Sequence, residues 1–122
     1  MLEIKNLKKV YGTGKDAKVA VDDLSLTVER GAFFGLLGPN GAGKSTTIHC
    51  ITGIAQPTEG QIFIDGVDVV KDYKTARRKV GLSPQEFNID FFAKVDDLLD
   101  YMGGYYGIPR AERKTRIDEL IS

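Results

Sequence analysis

The chain has 122 residues, one domain's worth at the usual ~100–200 residues per domain, and 17 Lys and Arg balance 17 Asp and Glu. With no net positive field, neither nucleic acid nor an anionic membrane surface is an expected partner. A hydrophobic fraction of 42% excludes a disordered chain. The single cysteine, Cys50, excludes an intramolecular disulfide. No apolar run approaches the ~18 residues of a membrane span, and Met1-Leu2-Glu3-Ile4 lacks the marks of a signal peptide. The expected location is therefore cytoplasmic. Glycine is in excess, 14 of 122 residues or about 11% against an average near 7%, and the glycines are bunched.

Leu2–Leu7 alternates apolar and polar residues, the period of a half-buried strand. Residues 12–16 read as a turn, and Leu24–Val28 alternates again, so the two segments are expected to pair as antiparallel strands. Phe33-Phe34-Gly35-Leu36-Leu37 is a continuous apolar run, the pattern of a strand buried on both faces. Glycine-rich residues 38–43 follow, then a helix from Lys44 to Gly53. Gln61–Ile64 reads as a strand closing on an Asp65-Gly66 turn. Tyr73–Lys79 suggests a short polar helix, and Val80–Ser83 a short strand halted by Pro84. Val95, Leu98, Leu99 and Met102 fall at helical spacing, ending in the Gly103–Gly107 cluster. Pro109 suits the first turn of a last helix with Ile117, Leu120 and Ile121 on one face.

Gly38-Pro39-Asn40-Gly41-Ala42-Gly43-Lys44-Ser45 fits the phosphate-loop pattern of two glycines with four residues between them, followed by Lys and Ser or Thr. Glycines let successive backbone N–H groups turn inward as an anion nest, and a helix N-terminus adds its positive dipole end. Lys44 supplies charge for the β- and γ-phosphates, Ser45 a hydroxyl for Mg²⁺, and Thr46 a further donor to the α-phosphate. The preceding apolar run and the following helix are the context such a loop needs.

Residues 38–47 closely resemble the Walker A segment of ATP-binding cassette (ABC) ATPases. Val10-Tyr11-Gly12 resembles the A-loop, whose aromatic ring stacks on adenine. Leu24–Gly31 resembles the strand leading to the phosphate loop, and Pro57–Ile62 the stretch after the Walker A helix. Val80–Gln85 resembles the entry to the Q-loop, with Gln85 lying 41 residues beyond Lys44. The resemblance runs from Met1 to about Gly107. Residues 85–107 read most like the ATP-binding subunits of bacterial ABC-2-type exporters, although Phe92-Ala93-Lys94-Val95 stands where that family has Leu-Thr-Val.

This resemblance implies an α/β P-loop NTPase fold: a sheet with an antiparallel β arm and the start of an α-helical subdomain. Residues 1–92 would form the nucleotide-binding core and residues 93–122 the beginning of the helical part. It implies ATP and Mg²⁺ as ligands. Tyr11 would hold adenine; Gly38, Asn40, Gly41, Ala42, Gly43, Lys44, Ser45 and Thr46 would hold phosphates and metal. Lys44 and Gln85 would be the catalytic residues; Gln85 would bind Mg²⁺ or hold the attacking water, sense the γ-phosphate and relay its state to the membrane partner. The implied partners are a membrane-spanning transporter subunit and a second ATPase domain in a head-to-tail dimer, at the inner face of the cell membrane. Tyr101, Tyr105 and Tyr106 would either face the membrane subunit or pack in a core.

Ile62-Phe63-Ile64-Asp65 imitates a Walker B strand, but Gly66 follows where a glutamate is needed, so Asp65 reads as a turn residue. His49 and Cys50 read as structural, and Arg77-Arg78-Lys79 as a solvated face. No Leu-Ser-Gly-Gly signature and no apolar strand ending in Asp-Glu occurs in the 122 residues. The chain therefore resembles the N-terminal half of an ABC ATPase domain and is expected to hydrolyse ATP poorly by itself. Two other readings are a nucleotide-binding module that never hydrolyses and a soluble ABC protein.

Overall fold

The computed structural model describes residues 1–39, 43–84 and 92–122, in two units, Met1–Gly81 and Leu82–Ser122. In the first unit β1 (Leu2–Tyr11) pairs antiparallel with β2 (Lys18–Val28), from Leu2 opposite Val28 to Tyr11 opposite Lys18. One turn of 3-10 helix, Gly14–Asp16, joins them. The expected pairing of residues 2–7 with 24–28 is observed, and it continues much further than the alternation shows.

The ladder is broken by register shifts between Ile4 and Val10. At the first of them Asn6 and Asp23 adopt positive φ, 50° and 54°. Their short polar side chains tolerate that conformation. The Asn6 amide donates to Asp23 Oδ1 at 2.8 Å, and the Asn6 N–H donates to Ser25 Oγ at 2.8 Å, so the irregularity is closed by hydrogen bonds.

On its other edge β1 pairs antiparallel with β3 (Glu59–Ile64), which turns through Asp65-Gly66 into the two-residue β4 (Val67–Asp68). The sheet order is β2-β1-β3-β4. Asp65 and Gly66 both have positive φ, 49° and 80°, the signature of a tight hairpin turn. Asp65 thus closes a hairpin, as its following glycine suggests, and does not end a Walker B strand. Its carboxylate meets the Met1 ammonium at 2.7 Å, Arg30 at 3.1 Å and Lys79 at 3.9 Å.

The α/β class with an antiparallel arm holds. α1 (Lys44–Thr52) and α2 (Tyr73–Arg77) complete the first unit. Asp72 caps α2, accepting the Thr75 N–H at 3.4 Å. The core gathers Ile4, Leu7, Val21, Cys50, Ile62, Ile64, Val69 and Ala76.

Two expected strands are corrected. Phe33–Leu37 is irregular backbone, with Phe33 106% and Leu37 94% exposed. An apolar run becomes a buried strand only when neighbours take its N–H and C=O groups and cover its faces. Among the described residues no strand pairs with it. Val80–Ser83 is irregular for the same reason, though the Val80 side chain packs on the core.

The second unit contains α3 (Val95–Tyr105) and α4 (Arg110–Ile121). Arg113 fastens this helical hairpin, donating from Nε to Asp100 Oδ1 and from Nη1 to the Ile108 carbonyl, both at 2.8 Å. α3 runs through Gly103 and Gly104 instead of stopping there, and Pro109 caps α4 instead of opening its first turn. Tyr101 and Tyr105 are exposed and Tyr106 is half-buried, so core packing does not account for the first two. Among the described residues, no helix is long and apolar enough to cross a membrane.

Two outcomes are expected. Leu7 is 0% exposed, so Leu7→Ala should cost about 2–5 kcal/mol in urea unfolding. The Met1 ammonium's hydrogen bond, aided by Arg30 and Lys79, holds the Asp65 carboxyl below its ordinary 3.8. A depressed carboxyl stabilises the fold above that value and loses the effect as pH falls through the folded-state pKa. Asp65→Asn should therefore lower the melting temperature at pH 7, with the gap to the parent chain closing in acid below about pH 4.

Candidate functional site

The site forms where the glycine segment enters α1. Gly43 caps that helix with φ 76°, a left-handed backbone that suits glycine. A Cβ on Gly43 would overlap the Ala20 carbonyl oxygen of β2 and come within 3.2 Å of Val21 Cγ2. The residue type is thus required twice, by backbone conformation and by contact with the sheet.

The first turn of α1 is held from inside. Thr47 is 2% exposed, and its Oγ1 donates to the Gly43 carbonyl at 2.8 Å. Cys50, one turn on, is buried in the core, and burial pushes its thiol pKa up, as suits an inert packing residue. With one face of α1 fixed, Ser45 is exposed and Lys44 and Thr46 are half-buried. Lys44 Nζ donates to the Gly38 carbonyl and so links the two ends of the glycine segment. An ammonium and a helix N-terminus, the two kinds of group that bind phosphate, therefore belong to the same short segment.

Tyr11 is the last residue of β1 and is 43% exposed. Its cross-strand partner is Lys18, two residues from the Ala20 that touches Gly43. Two residues of strand are roughly 7 Å, and one strand spacing is about 4.8 Å. Tyr11 and the Ala20 that Gly43 touches thus lie on neighbouring strands. Beyond the last β1–β3 pair, Lys8 with Glu59, Thr58 extends the contact. The Thr58 N–H donates to the Lys8 carbonyl at 2.8 Å, and its Oγ1 accepts the Val10 N–H at 2.9 Å.

The structure brings together Gly38, Gly43, Lys44, Ser45 and Thr46, with Tyr11 on the adjoining sheet. Asn40, Gly41, Ala42 and Gln85 lie outside the described residues. Thr47, Thr58, Ala20 and Val21 went unrecognised in the sequence. Thr47 extends the Ser45-Thr46 pair and carried a faint signal there; the other three act through contacts that no local pattern announces. His49 is half-buried in the last turn of α1, where its carbonyl accepts the Ala55 N–H at 3.1 Å. Among the described residues no cluster of His, Cys, Asp and Glu could hold a metal. A separate cleft of about 200 Å³ lies at the other end of α1, lined by Gly53, Tyr73 and Arg77 among others, away from the glycine segment.

A family model for ABC transporters matches residues 21–122. The chain is 36% identical over 125 residues to the methionine import ATP-binding protein MetN of Desulfitobacterium hafniense (strain Y51), covering 99% of this chain and 37% of that protein. It is 38% identical over 121 residues to the linearmycin resistance ATP-binding protein LnrL of Bacillus subtilis (strain 168), covering 99% and 38%. Among solved structures it superposes on the ATP-binding cassette MJ0796 in a dimeric post-hydrolysis state bound to ADP and Pi. The TM-score is 0.77 at 28% identity, covering 98% of this chain and 55% of that one. The chain spans under two fifths of the length of these curated relatives. With a family match over most of its residues added to the glycine-capped α1, the chain belongs to the ABC transporter family.

Proposed function

We propose that this chain supplies the phosphate- and adenine-binding part of an ATP-binding subunit that couples ATP binding and hydrolysis to movement of a solute across a membrane. The supporting observation is Gly43 seated on Ala20, which sets the α1 N-terminus and Lys44 at one point beside the strand pair that carries Tyr11. The exporter-like reading of residues 85–107 favours export, while the relatives carry import and export names alike.

The residues present fit Mg²⁺-ATP. The Lys44 ammonium and the N–H groups that open α1 are cationic or hydrogen-bond donors, suited to an anion. Bound Mg²⁺ would neutralise phosphate charge, and the γ-phosphoryl group would pass to water. Backbone N–H groups of Gly38, Asn40, Gly41, Ala42 and Gly43 would bind phosphate oxygens. Lys44 would hold the β- and γ-phosphates, and Thr46 would donate to the α-phosphate. Ser45 and Gln85 would contribute oxygens to the metal, Gln85 also sensing the γ-phosphate. Tyr11 would stack on adenine, worth ~1–3 kcal/mol. In this reading residues 1–92 are the nucleotide-binding core and residues 93–122 begin a helical subdomain. The subunit works at the cytoplasmic face of a membrane, as a head-to-tail pair beside a membrane-spanning subunit.

Phosphoryl transfer also needs a carboxylate for the metal, a group that orients water and charge stabilisation at the γ-phosphate. The 122 residues contain no signature segment and no Walker B carboxylates. The isolated chain is therefore a binder with little turnover.

Calorimetry with Mg²⁺-ATP should show binding, weakened ~10–100-fold in Lys44→Ala through loss of a charge-assisted contact. Gly43→Val should abolish binding, because the new side chain displaces α1 from β2. Phosphate release by the parent chain should stay at background. A chain that binds no ATP overturns the reading, and turnover abolished by Lys44→Ala overturns the claim that the isolated chain is only a binder.

A further inference from the structure

Lys9 carries a contact that phosphate binding leaves unexplained. It sits two residues before Tyr11 on β1, and side chains two apart on a strand share a face. Its Nζ lies over the Tyr11 ring, 4.9 Å from the centroid, within cation–π range. With the ammonium there, Tyr11 still exposes 43% of its surface.

The backbone beneath this pair is held on both edges. Lys9 faces Val21 and Tyr11 faces Lys18 across β2, while Thr58 binds the Lys8 carbonyl and the Val10 N–H on the other side. Val21 follows Ala20, the residue that closes on Gly43, and its own Cγ2 would lie 3.2 Å from a Cβ there. The Lys9 charge reaches α1, where it partly counters the upward push that burial gives the Cys50 thiol. Lys9 therefore stands at the junction of the ring, β2 and the helix that opens at the phosphate loop.

We propose that Lys9 is a positioning residue of the nucleotide site: its ammonium occupies one face of the Tyr11 ring and presents the opposite face to a purine. The proposal rests on the reading of Tyr11 as the adenine platform. Lys9 acts through Tyr11 and makes no contact with phosphate.

The test is a double-mutant cycle on ATP affinity, with inorganic tripolyphosphate as a second probe that has no base. Lys9→Met keeps the aliphatic stem and removes the charge. It should weaken ATP about two- to fivefold, the scale of an exposed cation–π contact, and leave tripolyphosphate unchanged. Lys9→Arg should restore ATP affinity, since guanidinium stacks on aromatic rings as well. In the Tyr11→Leu background Lys9→Met should have no further effect. If the two losses add, if Lys9→Met leaves ATP affinity unchanged, or if tripolyphosphate weakens in parallel, Lys9 does not act through the ring and the proposal is overturned while the Tyr11 reading stands. If Tyr11→Leu binds ATP like the parent chain, the adenine platform itself is wrong and the Lys9 role falls with it. Matching circular dichroism melting curves for Lys9→Met and Lys9→Arg separate these outcomes from loss of fold.

Discussion

The close approach of Gly43 to the Ala20 carbonyl is the constraint on which the site depends. It fixes the start of α1 against β2. Any side chain there pushes the helix off the sheet, and the donors at its N-terminus then lose their common aim. Because β2 pairs with β1, the same contact sets the distance from the phosphate-binding end to Tyr11. One glycine thus couples the two halves of the proposed nucleotide site, Tyr11 and the start of α1 at Gly43, which lie 32 positions apart in the sequence.

Packing maintains that contact and polar staples refine it. Cys50 and Thr47 bury one face of α1 against the sheet core of Ile4, Leu7, Val21 and Ile62. The Thr47 hydroxyl is buried without cost because it donates to the Gly43 carbonyl, which ties the cap to the first turn. Thr58 does comparable work at the far end of β1, where pairing with β3 has stopped. Both threonines use a short side chain to satisfy a backbone group that regular structure leaves over.

Elements set by local chemistry were legible in the sequence. The β1–β2 pairing showed in alternation, α1 in the glycine-lysine pattern, the Asp65-Gly66 hairpin in its turn residues and α3 in its helical spacing. Phe33–Leu37 was misread because continuous apolarity reports the environment a segment suits and does not supply it. A strand exists only in its ladder. Val80–Ser83 fails in the same way. At the candidate site, the residues proposed to bind phosphate are legible because their chemistry is contiguous. Ala20, Thr58 and the cation over Tyr11 were not, since each depends on register across strands, and that register is shifted by irregularities at Asn6 that no alternation predicts.

Charge shows why whole-chain composition and local function come apart. A formal net charge of zero removes long-range steering of anions. It sets no limit on a local field. Lys44 stands at the first position of α1, and Lys9 lies opposite Val21, the neighbour of the Ala20 that closes on Gly43. Short-range cations of this kind act after encounter, by orienting what has arrived. They are screened less where they lie against protein than where they project into water. A nucleotide carries both a polyanion and a flat aromatic base. In the proposed site Lys44 would address the first, and Lys9, held over a tyrosine ring, would serve the second. The neutral total is thus compatible with the proposed anion site, because a local field depends on where a lysine is held and not on how many the chain contains.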